Sequence, residues 1–104
     1  GEVMSIEKKF LKTKPVCKLK FQVSGGVFDH ANSVSVAGDF NGWSKEDLPL
    51  KRGKDGSWSA SIDLESNRDY QFRYVVDGND WVNEPEADLF IHNGIGEENS
   101  VVSL

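Results

Sequence analysis

Two tryptophans, Trp43 and Trp81, each follow a glycine-containing turn and are flanked by polar residues. Trp43 comes directly after Asn41-Gly42, a pair that tolerates positive φ angles and favours a tight turn. A large ring in this setting is difficult to bury fully, so it offers a stacking surface to a flat ligand with an apolar face. Two alternatives stay open: the rings fold back over the core rim, or they belong to a protein interface.

Sugars suit such rings, because they combine an apolar C–H face with a rim of hydroxyl groups. Aromatic rings cover the face, while Arg, Asn and carboxylate groups satisfy the rim. Arg73 is expected on the outer face of a strand that leads to Trp81, and its guanidinium offers several fixed donors. Asn99 carries a donor and an acceptor that match neighbouring hydroxyls. Each also fits a simpler role, Arg73 as a surface ion pair and Asn99 as a turn residue.

The other reactive side chains form no catalytic or metal-binding pattern. Cys17 lies on the inward phase of a predicted strand, where it is expected to be a small buried hydrophobic residue. His30 follows Asp29 in a loop where the sequence places no nucleophile beside them. His92 has no Cys or second His at a metal-ligand spacing. The sequence therefore predicts no enzyme, no metal and no cofactor.

Composition limits the size of the protein and the classes of its partners. The 104 residues allow one domain and are too few for a (β/α)₈ barrel of about 250 residues. A net charge of −5 gives no broad basic surface for nucleic acid or membrane lipid. The single cysteine favours a reducing, cytoplasmic compartment. We find no secretory signal and no apolar run near the roughly 18 residues of a membrane span.

Alternation of apolar and polar residues predicts the strands that position these side chains. The clearest strand is 16–23, with its apolar residues directed inward. Further strands or short apolar pieces are expected at 33–37, 48–50, 57–62, 70–76, 81–82, 89–91 and 100–104. Short strands separated by turns, without a convincing long helix, predict an all-β sandwich of about seven to eight mostly antiparallel strands.

Aromatic residues mark the expected core. Trp58 is in phase with the apolar residues of its strand and is assigned to the interior. Tyr70, Phe72 and Tyr74 share one face of the next strand, which we take as inward, and Arg73 then projects from the other face.

The N-terminal residues 1–14 are assigned to an arm that precedes this sandwich. Residues 5–14 are read as a short helical turn or an arm lying on the domain, and Pro15 breaks any helix there. Met4 is taken as the native start, with residues 1–3 left from a vector. The remaining residues, 15–104, are expected to form the sandwich domain.

Several motifs occur along the chain in a fixed order: Ser35–Trp43, Pro49-Leu50, Asp55–Trp58, Tyr70–Gly78, Trp81 and Asn99–Val102. As an ordered set they resemble carbohydrate-binding module family 48 over roughly residues 16–104. That family includes the glycogen-binding domain of the AMP-activated protein kinase beta subunit and the N-terminal early-set domain of isoamylases. The acidic turn at 84–88 and the chain ending look most like small free-standing bacterial members.

The resemblance implies an immunoglobulin-like β-sandwich that binds α-1,4-linked glucans. Trp43 and Trp81 match the two stacking tryptophans of the kinase-type domain. Arg73 falls where that domain has a hydroxyl-binding Lys, and Asn99 falls on its ligand-binding Asn. Ile95 matches the apolar loop residue that packs against a sugar ring.

Two departures from the kinase subunit bear on this site. The turn before Trp81 is one residue longer, and Glu97 stands where that domain has Thr.

From the resemblance and from the aromatic and polar residues described above, we expect a non-catalytic module for glycogen, starch or maltooligosaccharides. The alternative is a regulatory module that docks on a glucan-metabolising enzyme or kinase-type partner without binding sugar itself.

Overall fold

A computed structural model describes residues 4–24, 27–92 and 94–104. Across these ranges there is no helix long and apolar enough to cross a membrane. Nine strands are found in the described part of the chain. They are β1 (Met4–Phe10), β2 (Val16–Val23), β3 (Val34–Gly38), β4 (Lys51–Arg52), β5 (Trp58–Glu65), β6 (Asp69–Val76), β7 (Asp80–Val82), β8 (Leu89–His92) and β9 (Glu98–Ser103).

The strands form two antiparallel sheets packed face to face. One sheet has the order β1-β2-β5-β4, and the other has the order β3-β6-β9-β8, with β7 paired to β6. The predicted all-β, immunoglobulin-like sandwich is confirmed. Nine strands are present rather than about seven to eight, because β1 was not anticipated. The edge piece expected at 48–50 is displaced: the two-residue strand β4 follows directly after it, and Pro49 makes an isolated bridge to Ser35.

Inward-facing residues of both sheets make one core. Leu19 and Phe21 of β2 and Phe72 and Tyr74 of β6 are fully buried in one cluster. The rings of Phe21 and Phe72 meet edge to face with 5.2 Å between their centroids, an arrangement that adds to simple burial. Trp58 is also buried there. The alternation in the sequence therefore predicted the inner faces correctly, including the outward position of Arg73.

The N-terminal residues form an edge strand rather than a helical turn. β1 pairs antiparallel with β2 from Met4 opposite Val23 to Phe10 opposite Cys17. The helical reading was wrong because only Met4 and Ile6 pack on the core, which leaves too few apolar residues to show a period. Residues 1–3 lie outside the described residues, and the boundary between arm and sandwich at residue 15 stays a prediction.

A buried carboxyl group fixes the segment between β7 and β8. Glu84 is fully buried, and Tyr74 Oη donates a 2.7 Å hydrogen bond to its Oε1. Its Oε2 accepts from the Glu86 backbone N–H at 2.9 Å, and its own N–H donates to Ser100 Oγ at 2.9 Å. Burial raises the pKa of Glu84. Burial, together with the nearby Glu84 carboxylate, also raises the pKa of Tyr74.

Candidate functional site

The turn that carries Trp43 is held in place by the side chain of Asn41. Asn41 Oδ1 accepts a 3.0 Å hydrogen bond from the Gly38 N–H, and Asn41 Nδ2 donates to the Val36 carbonyl at 3.1 Å. The Trp43 N–H donates to the Gly38 carbonyl at 2.8 Å. Gly42 and Trp43 have positive φ angles, whereas Asn41 does not. The sequence predicted the turn, but Asn41 acts through its side chain rather than through its backbone conformation.

Trp43 itself has a φ of 61°. A left-handed backbone costs a bulky residue about 1–2 kcal/mol, because Cβ approaches the following carbonyl. Strain of this kind persists where surrounding contacts hold it, and it clusters at functional sites. Three hydrogen bonds stabilise this conformation of Trp43. Two are made by the Asn41 side chain, and the third is donated by the Trp43 N–H.

The hairpin formed by β6 and β7 places Trp81 beside Trp43. Trp81 lies opposite Val75 in the β6–β7 pair. The turn between these strands has positive φ at Asp77 and Gly78. Asp77 Oδ1 accepts hydrogen bonds from the backbone N–H groups of residues 32 and 33, at 2.7 and 3.0 Å. This clamp fixes the hairpin to the loop before β3, and Trp81 is left 37% exposed.

The two rings form an inclined pair above a groove. Their centroids are 6.5 Å apart, and their planes make an angle of 47°. The groove has a volume of about 660 Å³. Its lining is Trp43, Arg73, Asn79, Asp80, Trp81, Glu97 and Asn99.

Hydrogen-bonding groups hold the guanidinium of Arg73 at the base of this groove. Arg73 Nε donates to Asn99 Oδ1 at 2.8 Å, and one terminal nitrogen donates to Glu97 Oε1 at 2.9 Å. Asn99 Nδ2 in turn donates to Gln71 Oε1 at 3.0 Å. The guanidinium carbon lies 6.0 Å from the centre of the Trp81 ring, a cation–π distance. The Arg73 side chain is therefore both paired and fixed.

Four of the five residues that the sequence selected line the groove together: Trp43, Trp81, Arg73 and Asn99. The fifth, Ile95, is not among the lining residues. It is 79% exposed and lies in the same loop as Glu97, between β8 and β9.

Sequence reasoning missed three contributors. Asn79 and Asp80 line the groove because they belong to the hairpin turn, and their turn signal was read only as structure. Lys45 Nζ lies 5.9 Å from the Trp81 ring centre and donates to the Gly78 carbonyl at 3.0 Å. No sequence signal marks Lys45, because the contact joins residues 33 positions apart.

The groove offers aromatic faces, an oriented guanidinium, amide groups and carboxylates. This set suits a neutral polyhydroxylated ligand, because the rings cover C–H faces while the polar groups bind hydroxyls. Within residues 4–24, 27–92 and 94–104, no three His, Cys, Asp or Glu side chains cluster as metal ligands would.

Comparison with known protein families agrees with this geometry. A family model, Carbohydrate-binding module 48 (Isoamylase N-terminal domain), matches residues 22–97. The chain belongs to this family. Family 48 is a family of non-catalytic carbohydrate-binding modules, and the matched range covers Trp43, Arg73, Trp81 and Ile95 but ends before Asn99. No functionally curated protein matches the chain.

Proposed function

We propose that this family 48 module binds α-1,4-linked glucans such as glycogen, starch and maltooligosaccharides, and carries out no catalysis. One observation carries the proposal: the half-buried ring of Trp43, the exposed ring of Trp81 and a fixed Arg–Asn pair line the same groove. A cytoplasmic location and a glucan-metabolising enzyme as partner stay predictions.

The angle between the rings favours α-linked over β-linked chains. Successive glucose units of an α-1,4-glucan turn relative to one another, so a curved chain presents inclined apolar faces. A β-1,4-glucan is a flat ribbon and would be matched by coplanar rings. The 47° between Trp43 and Trp81 therefore suits the curved chain.

Arg73 and Asn99 bind hydroxyl groups in this proposal. A guanidinium has five N–H donors, and two of its nitrogens are committed to Asn99 and Glu97. An amide has two donors and two acceptor lone pairs, so Asn99 also keeps bonding capacity beyond its contacts to Arg73 and Gln71. Ile95, in the loop between β8 and β9, would cover an apolar sugar face. A small open site of this kind should give a Kd of about 10 µM to 1 mM.

Calorimetric titration with maltoheptaose tests the proposal, with cellohexaose as the β-linked control. The wild type, Trp43→Ala and Trp81→Ala are compared, and circular dichroism verifies their folding. Phe10→Ala is the matched control, because Phe10 is an exposed aromatic on β1, in the other sheet. Binding of maltoheptaose alone, lost in both folded tryptophan variants and kept in Phe10→Ala, supports it. No heat of binding at millimolar maltoheptaose would reject it.

A further inference from the structure

The sheet that carries the groove continues beyond Asn99 onto β8. Ile91 lies opposite Asn99 and Leu89 lies opposite Val101 in the β8–β9 pair. Residues directly opposite each other in an antiparallel pair project from the same face. Leu89 and Ile91 therefore project from the face that presents Asn99 to the groove.

These two residues form an exposed apolar strip at the sheet edge. Leu89 is 47% exposed and Ile91 is 40% exposed. Edge strands are usually protected by charged side chains, and β1 follows that rule with Glu7, Lys8 and Lys9. β8 has the sequence Leu-Phe-Ile-His, with all four residues exposed. Such an edge favours aggregation unless a ligand or partner uses it.

We propose that Leu89 and Ile91 extend the sugar-binding face, so that the module prefers long α-glucan chains over short ones. This inference rests on the proposed function. The chain would run from the tryptophan pair across Arg73 and Asn99 to β8. Neighbouring strands are about 4.8 Å apart, so Ile91 lies roughly 10 Å from Arg73 along this path.

Ile91 is the direct cross-strand neighbour of Asn99, which lines the groove, so the strip begins one strand away from the groove. Asn99 is 7% exposed and Val101 is fully buried, so apolar contact with a chain on this side of the groove would come from Leu89 and Ile91. Leu89 and Ile91 are uncharged and aliphatic, which suits the apolar C–H faces of a neutral polysaccharide. Continuity with the groove, together with this lack of charge, favours the glucan chain itself as the occupant.

The test compares ligands of two lengths. Leu89→Thr/Ile91→Thr removes most of the apolar surface and places a β-branched residue, which suits a strand, at both positions. Phe90→Thr is the matched control, because Phe90 lies between them, is 42% exposed and projects from the opposite face. We expect the double variant to bind maltoheptaose about three- to tenfold more weakly and maltotriose unchanged. Phe90→Thr should bind both ligands as the wild type does.

Other results overturn the inference in distinguishable ways. Unchanged maltoheptaose affinity in the double variant, with wild-type binding intact, rejects the strip and leaves the groove standing. Equal losses for maltotriose and maltoheptaose show a general disturbance of the site and also reject it. A dimer in sedimentation that becomes monomeric in the double variant assigns the strip to a second copy of the chain. Absence of wild-type binding to either ligand rejects the proposed function itself.

Discussion

The guanidinium Nε of Arg73 donates a 2.8 Å hydrogen bond to Oδ1 of Asn99, a residue 26 positions away on the neighbouring strand. Glu97 holds a second nitrogen of the same guanidinium, and Trp81 lies over it. The donors are thus oriented before any ligand arrives. Preorganisation of this kind reduces the ordering cost of binding, which matters for a small open site.

Arg73→Lys should weaken binding of maltoheptaose about tenfold, because an ammonium group with three donors cannot keep the contacts to both Asn99 and Glu97 and still offer further oriented N–H groups to hydroxyls. Titration calorimetry measures the change. Arg68→Lys is the control, since Arg68 also pairs with a carboxylate, that of Glu65, and lies over an aromatic ring, that of Tyr70, but away from the groove. Wild-type affinity in Arg73→Lys would show that the guanidinium fork is not needed.

Trp43→Gly should separate binding from stability. Glycine at a φ of 61° is relieved of about 1–2 kcal/mol of strain, which offsets part of the packing lost with the ring. We expect Tm within a few degrees of the wild type but a Kd for maltoheptaose at least about tenfold higher. Trp43→Phe keeps a ring and the strain, so it should bind better than Trp43→Gly. Equal affinity in the two variants would contradict a stacking role.

Asn41→Ala should reduce both stability and binding, although Asn41 does not line the groove. The change leaves the Gly38 N–H and the Val36 carbonyl without their side-chain partner, at a cost of about 1–3 kcal/mol. Trp43 then loses the brace that holds its backbone. Denaturant unfolding and calorimetry measure the two effects. Asn67→Gly, in another turn with positive φ, should leave binding unchanged, and parallel losses in both variants would rule out a specific brace.

We expect the contribution of Glu84 to the free energy of unfolding to fall as pH rises above the usual pKa range of glutamate. Burial raises its folded pKa above 4.5, so the folded state favours the protonated acid. That contribution is fully present below the unfolded pKa and is lost as pH rises through the raised folded pKa. The free energy of unfolding of the wild type, relative to Glu84→Gln, should therefore decrease across that window. A difference that stays constant with pH would show that Glu84 is ionised in both states.

The sequence predicted the parts of the fold that rest on alternation. β2, β5 and β6 carry apolar residues at every second position, and burial of one face explains that pattern. β1 carries charges at three of its seven positions and is held mainly by backbone pairing with β2, which leaves little trace in residue type. The two-residue strand β4 is likewise too short to show a period.

The sequence likewise predicted only those features of the candidate site that follow from local residue patterns. Trp43, Trp81 and Arg73 could be selected because turns and strand phase determine where they project. The pairing of Arg73 with Glu97 and the position of Lys45 over Trp81 depend on contacts between distant residues. The left-handed backbone of Trp43 could not be foreseen either, since residue preference assigns that conformation to Asn or Gly.

The three tryptophans allow the most direct test of the central claim. The indole Nε1–H resonances of ¹⁵N-labelled protein are followed by NMR during titration with maltoheptaose, and then with cellohexaose. Trp58 is buried in the core and is an internal control. We predict saturable shifts of the Trp43 and Trp81 resonances with maltoheptaose alone, while Trp58 stays in place. No shift of either groove tryptophan, or the same shifts with cellohexaose, would contradict an α-glucan site at this pair.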